Sequence, residues 1–95
     1  MNLPEFRQTL AANAPPAGIS HALEALWWEA NGDWNQAHAA AQKDDGREGC
    51  AVHAYLHRVE GDLSNAGYWY KRAGRPQATD ALATEWERLA RELLA

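Results

Sequence analysis

Apolar residues recur every three or four positions along most of this chain, which is the spacing of helices that bury one face. Two such stripes match each other, and their members are Leu23, Leu26, Trp27 and Ala30, and then Val52, Tyr55, Leu56 and Val59. No alternating run of β-branched residues bounded by turn residues indicates a strand. The pattern therefore predicts an all-α protein, with helices over about 3–13, 19–31, 34–43, 47–60, 63–73 and 79–94.

Two Gly-Asp pairs, Gly32-Asp33 and Gly61-Asp62, separate predicted helices in the middle of the chain. Glycine takes the left-handed conformation after a helix at little cost, and this lets the last carbonyl groups find partners. Aspartate then accepts a hydrogen bond from the first free N–H groups of the next helix. Because each pair ends one helix and begins another at once, each predicts an antiparallel helix hairpin.

The two hairpins form an internal repeat with an offset of 29 positions, at which Gly32 falls on Gly61 and Ala37 falls on Ala66. We expect one domain over residues 1–95, with hairpin units at about 18–45 and 47–76 and a capping helix at about 77–95. A further short helix precedes the first unit. Since repeat arrays usually need three units, the flanking helices must complete the core, or the protein pairs with itself.

The second hairpin resembles tetratricopeptide (TPR) repeats and the related Sel-like repeats. The residues that carry the TPR similarity are the run Gly61-Asp62-Leu63-Ser64-Asn65-Ala66 and then Tyr70, Ala73 and Pro76. The run from Tyr68 to Ala73 is similar to the end of a Sel-like unit. The stretch from His53 to Gly74 also resembles small bacterial proteins, and that resemblance brings no activity with it.

The resemblance implies binding of a peptide or a partner protein on a concave face of the hairpin array. The residues that fall on that face in the family's register are Glu48, Ala51, Tyr55, Arg58 and Val59. Tyr55 and Val59 also belong to the helix's own apolar stripe, so the two registers disagree about which side is buried. His53 and His57 stand where the family expects large apolar residues, and the period is shorter than in either repeat family.

Composition and charge argue against several function classes. The net charge is −4, and the main basic cluster, Lys71, Arg72 and Arg75, is too small for a nucleic-acid binder. No stretch reads as a signal peptide or as a membrane span, so we expect no membrane partner. Cys50 is the only cysteine, so an intramolecular disulfide is excluded. We expect a cytoplasmic protein.

His53 and His57 are four residues apart and therefore share one face of a helix. Cys50 and Glu60 fall on the same face, and all four are metal-ligand types, which indicates a metal site or a general base. The pattern favours a structural interpretation instead, because this face borders the apolar stripe and would contact the second helix of the hairpin. The partners expected to hydrogen-bond the imidazole rings are Asn65, Tyr68 and Tyr70.

The consecutive aromatic residues Tyr68, Trp69 and Tyr70 supply a second candidate surface. On a helix they point in three directions, so at least one faces outward or towards another repeat. Arg58 or Arg72 beside them would give the combination of arginine and aromatic rings that is typical of interaction hot spots. Core packing is the favoured alternative, because large aromatic side chains are usually buried.

Trp28 follows the stripe residue Trp27, so the two indoles cannot fill the same face. Trp28 either covers the hairpin interface or forms an exposed partner site. His21 and Glu24 complete its face, and a Glu–His pair can perform acid–base chemistry. No nucleophile or phosphate loop accompanies them, so ordinary surface pairing is the favoured interpretation.

The chain contains no Gly-rich loop, no serine elbow and no paired-carboxylate motif, so no catalytic residue is predicted. We expect a non-catalytic protein- or peptide-interaction module that uses no cofactor. The alternative is a small-ligand or metal-dependent activity centred on His53 and His57. The candidate binding residues are His53, His57, Tyr55, Arg58, Tyr68, Tyr70, Arg72 and Trp28.

Overall fold

A computed structural model describes all 95 residues of the chain. It contains six helices, which are α1 (Leu3–Thr9), α2 (His21–Ala30), α3 (Trp34–Ala41), α4 (Arg47–Val59), α5 (Leu63–Ala73) and α6 (Leu82–Leu94). There is no strand, so the expected all-α class is confirmed. No helix combines the length and the apolar character that crossing a membrane requires.

The two Gly-Asp turns adopt the same backbone geometry. Gly32 and Gly61 have φ angles of 80° and 87°, in the left-handed region. In both turns the N–H of the aspartate donates to the carbonyl five residues earlier, at 2.9 Å. The side chains of Asp33 and Asp62 each accept a hydrogen bond of 3.1 Å from a backbone N–H in the next helix. The turn predicted from the sequence is thus confirmed twice, with a hydrogen-bonded backbone group on each side of each turn.

Two helix ends differ from the predicted bounds by three residues or more. α1 ends at Thr9 rather than Asn13, because the following N–H groups bond to carbonyls only three residues back and tighten the last turn. α6 begins at Leu82 rather than Thr79. The carbonyl of Asp80 accepts a hydrogen bond from the side chain of Arg58, and this contact holds the segment before α6 outside the helix.

α4 lies at the centre of the core and contacts α2, α3, α5 and α6. α6 packs across α2 and α4, and the indole N–H of Trp86 donates to the carbonyl of Leu26 at 3.0 Å. Tyr55 is only 2% exposed as a result. α6 therefore covers Tyr55 and Arg58, two residues of the face on which the family's register places a groove.

Two apolar residues at helix ends are exposed although they continue the three-to-four-residue spacing of their helices. Ala30 is the last residue of α2, next to the Gly-Asp turn, and Leu82 is the first residue of α6 and is 40% exposed. Residues at helix ends lie at the margin of the contact with neighbouring helices. The three-to-four-residue pattern therefore extends one residue beyond the buried stripe at these ends.

Candidate functional site

Three histidines meet where α3 packs against α4, and we call them the histidine cluster: His38, His53 and His57. The Nε2 atoms of His38 and His53 are 3.0 Å apart, at hydrogen-bond distance. One ring nitrogen from each of the three residues lies within 4.8 Å of the others. His53 and His57 are buried and His38 is partly buried. The predicted pair is therefore part of a triad that bridges the two hairpins.

Two tryptophans hold the rings of this cluster. Trp34 stacks on His38 with the ring centroids 4.8 Å apart, and Trp69 stacks on His53 at 3.8 Å. The indole N–H of Trp34 donates to the carbonyl of Leu56 at 2.8 Å, which fixes the indole against α4. The imidazole rings thus have flat aromatic neighbours that restrict their rotation.

Glu60 orients the third ring of the cluster. Its Oε2 lies 2.6 Å from Nδ1 of His57, so the carboxylate accepts the Nδ1 proton. The Nε2 atom of His57 is then free of that proton when the ring is neutral. Cys50, predicted on the same face, is not part of the cluster. Its Sγ points instead towards the carbonyl oxygen of Asp45, at 3.8 Å.

Burial keeps two of the rings neutral. The pKa of His53 falls to about 4, first because burial disfavours the charged form and then because His38, His57 and Arg72 add positive charge nearby. The pKa of His38 is also lowered, mainly by burial. At neutral pH both imidazoles therefore keep a nitrogen lone pair available as an acceptor or ligand.

A cavity of about 200 Å³ opens beside the cluster. His53 and Trp69 form one side of it, and Asp44, Asp45 and Arg72 line the rest together with residues from the end of α3. The wall of this cavity thus combines two carboxylates, one guanidinium and one imidazole.

Tyr70 and Arg58 belong to a separate buried network around Glu85. The phenol of Tyr70 donates to Glu85 at 2.6 Å, and Arg58 donates to the same carboxylate at 2.8 Å. Burial and the Glu85 carboxylate raise the pKa of Tyr70. The expected hydrogen bond from Tyr70 to an imidazole is therefore wrong, because the buried carboxylate of α6 takes that donor.

Tyr68 does not bond to an imidazole either. It is 55% exposed, and its hydroxyl accepts a hydrogen bond of 3.3 Å from Arg72. The guanidinium of Arg72 lies 5.8 Å from the centre of the Tyr68 ring and 5.0 Å from that of Trp69. Leu63, at the start of α5, is 56% exposed. The prediction that one aromatic of this run faces outward is confirmed by Tyr68.

These residues lie on the exposed surface of α5, which packs mainly against α4 and reaches α6 through the Tyr70–Glu85 hydrogen bond. We call it the outer face of α5 and define it by Leu63, Tyr68, Lys71 and Arg72, all of which are exposed. α5 has no acidic residue, and neither cation forms an ion pair within the chain. A basic aromatic surface thus stands on a protein whose net charge is −4.

The remaining predicted residues, Tyr55 and Trp28, lie away from the histidine cluster. Tyr55 donates to Glu29 at 3.2 Å, and burial raises the pKa of both groups. Tyr55 and Glu29 line a cleft of about 510 Å³ between α1, the end of α2 and the start of α6. Trp28 is partly buried, donates to Glu24 at 3.4 Å and meets Trp27 edge to face.

Four residues of these sites were not predicted from the sequence: His38, Trp34, Trp69 and Glu85. One signal could have identified the first two, since Trp34 and His38 have the same four-residue spacing as His53 and His57 and therefore share a face. Glu85 gave no such signal, because only the tertiary packing of α6 on α4 shows that this carboxylate is buried.

Comparison with known proteins gives no relative: no family model, no curated protein and no solved structure matches the chain. Function is therefore inferred from the residues of this chain.

Proposed function

We propose that this protein is a non-catalytic interaction module of the helical-repeat type, which binds an acidic segment of a partner protein on the outer face of α5. The observation that carries the proposal is the exposed pair of Tyr68 and Arg72, joined by a hydrogen bond and flanked by Lys71. Tyrosine and arginine are the residues that most often dominate binding energy at protein interfaces.

Charge complementarity selects the kind of partner. Arg72 and Lys71 have no carboxylate partner in the chain, while an acidic peptide would supply one. The partner's apolar side chains would pack on Leu63 and on the ring of Tyr68, both more than half exposed. Arg72 is also held in place by its contact with Trp69, so little side-chain freedom is lost on binding.

The position of α6 favours this surface over the concave face that the TPR resemblance implies. α6 lies across α2 and α4, and Arg58 is paired there with Glu85. On that face Tyr55 is only 2% exposed, whereas all four residues that define the outer face of α5 are exposed. We place the interaction in the cytoplasm, in keeping with a single cysteine, Cys50, which is buried and unpaired.

Selection from a library of random displayed peptides tests the proposal. We expect the selected peptides to be enriched in Asp and Glu next to apolar residues, and their binding to weaken with added salt. Arg72→Glu should weaken a selected peptide by about 30-fold, the loss typical of a hot-spot residue. Lys43→Glu is the matched control, because Lys43 occupies the equivalent exposed position in the first hairpin; it should leave binding unchanged.

Three outcomes would overturn the proposal: no peptide is selected, the selected peptides show no acidic excess, or Arg72→Glu binds as tightly as the original protein. Light scattering tests whether a second copy of the chain binds the outer face of α5 instead. If the protein dimerises and Arg72→Glu is monomeric, the outer face of α5 binds another copy rather than an acidic partner.

A further inference from the structure

Three of the four histidines in the chain converge on one point between the two hairpins, and the fourth, His21, lies elsewhere on the surface. We propose that His38, His53 and His57 together bind one Zn²⁺ ion. This inference goes beyond the interaction proposed above and uses different side chains. Imidazole nitrogen is a preferred zinc ligand, and three histidines are a known protein donor set for zinc.

The distances are close to those of a zinc site. Two imidazole nitrogens bound to one tetrahedral zinc are about 3.3 Å apart, given bonds of about 2.0–2.1 Å. The Nε2 atoms of His38 and His53 are already 3.0 Å apart. The nitrogen of His57 lies within 4.8 Å of both, so it must approach by up to about 1.5 Å, within the reach of a side-chain rotation. Zinc would replace the hydrogen bond between the first two rings, and the ring that donates it would take the tautomer protonated at Nδ1.

The surroundings provide the outer contacts that metal-binding histidines need. Zinc-bound imidazole usually donates its other N–H to a carboxylate, which fixes the tautomer and makes the ring a better ligand. His57 has this arrangement, with Glu60 at 2.6 Å from its Nδ1. The tryptophan rings stacked on His38 and His53 hold those two imidazoles in fixed planes. His38 and His53 are therefore held in position before any ion arrives, and only His57 has to rotate.

Three protein ligands leave one tetrahedral position for water or an anion. The cavity of about 200 Å³ beside His53 is the path by which an ion or a fourth ligand would arrive. Asp44, Asp45 and Arg72 line that cavity, and the two carboxylates outweigh the single guanidinium, so the net negative charge favours entry of a cation. Because His38 belongs to α3 and the other two ligands belong to α4, bound zinc would also tie the two hairpins together.

The test begins with Co²⁺, which replaces Zn²⁺ and reports tetrahedral coordination by its visible absorption. We expect the metal-free protein to give that absorption with one Co²⁺ per chain and to lose it when Zn²⁺ is added. His38→Gln should weaken zinc binding by about 100-fold or more, because it removes a direct ligand. His38 is only partly buried, so this variant should remain folded, and far-UV circular dichroism checks that it does.

His21→Gln is the matched control, since His21 is exposed and lies outside the cluster; its zinc affinity should equal that of the original protein. Glu60→Gln should weaken zinc by about 10–100-fold while leaving all three ligands in place. Zinc should also raise the melting temperature of the original protein. The proposal is overturned if no tetrahedral cobalt spectrum forms, if His38→Gln keeps its affinity, or if His21→Gln loses as much affinity as His38→Gln.

Discussion

The first hairpin, α2 and α3, and the second, α4 and α5, share a turn but not the side chains around it. Their Gly-Asp turns agree in backbone angles and in cap distances. At the first position after the turn, however, Trp34 packs against the other hairpin, whereas the equivalent Leu63 is 56% exposed. Four residues later His38 has Gly67 as its counterpart. The repeat therefore fixes the backbone, and the candidate sites arise from residues that it does not share.

The same contrast holds on the first helix of each hairpin. Glu29 and Arg58 are equivalent at the offset of the repeat, yet Glu29 borders an open cleft and Arg58 is paired with the buried Glu85. One position thus lines an open cleft in the first hairpin and is closed off by the capping helix in the second. Equivalent positions acquire different chemistry because α6 covers only part of the array.

Substitutions at these two positions, Glu29 and Arg58, should give the largest difference in stability between the hairpins. Arg58→Ala should lower the free energy of unfolding by about 3–5 kcal/mol, because it leaves the 2% exposed Glu85 without its cation. Glu29→Ala should cost about 1 kcal/mol, the value of one hydrogen bond at a site that water can reach. Urea unfolding measures both. Equal losses in the two variants would contradict this expectation. The double variant Arg58→Met, Glu85→Leu should recover most of the stability that Arg58→Ala loses.

Trp34 and Leu63 give the next largest contrast. Trp34→Ala removes an indole that stacks on His38 and bonds to the carbonyl of Leu56, so we expect a loss of about 2–4 kcal/mol. Leu63→Ala removes mostly exposed surface and should change stability by no more than about 0.5 kcal/mol. Thermal and urea unfolding are the measurements. A loss above that limit for Leu63→Ala would mean that α5 packs more closely than its exposure indicates.

Acid should weaken the contact between the hairpins through His53. Its pKa is about 4 in the folded chain against 6.5 for the free side chain, so the unfolded chain binds its proton at the higher pH. Stability should therefore fall as pH drops from about 6.5 towards 4, by about 1–2 kcal/mol at pH 5. Urea midpoints at pH 7.5 and pH 5 measure the loss. The loss of stability between pH 7.5 and pH 5 should be smaller in His53→Gln and unchanged in the control His21→Gln. If His53→Gln loses as much stability as the original protein, titratable groups other than His53 cause the loss.

The smallest effect tests what the hairpins share. Asp33→Ala and Asp62→Ala each remove one helix cap at 3.1 Å, and each should cost about 1 kcal/mol. The two losses should agree within the error of urea unfolding, since the turns have the same geometry. A clear difference would show that one turn depends on contacts outside its own cap.

The parts of the fold that depend on local interactions could be predicted from the sequence. The helix class and the two turns follow from periodicity and from the chemistry of glycine and aspartate. The burial of Glu85 and the meeting of His38 with His53 could not be predicted, because both arise from packing between helices that are far apart in the chain. The partners of Tyr70 were wrongly predicted for the same reason, since proximity in sequence favoured the histidines over a carboxylate on α6.

The hydrogen bond from Trp86 to the carbonyl of Leu26 joins residues 60 positions apart. Each hairpin closes over a short turn, so it can form quickly, whereas docking of α6 requires a long loop to close and carries a larger entropic cost. We therefore expect the hairpins to form early in folding and α6 to dock late. Chains released before α6 is synthesised would leave the surface of α2 and α4 uncovered, and with it a route to aggregation.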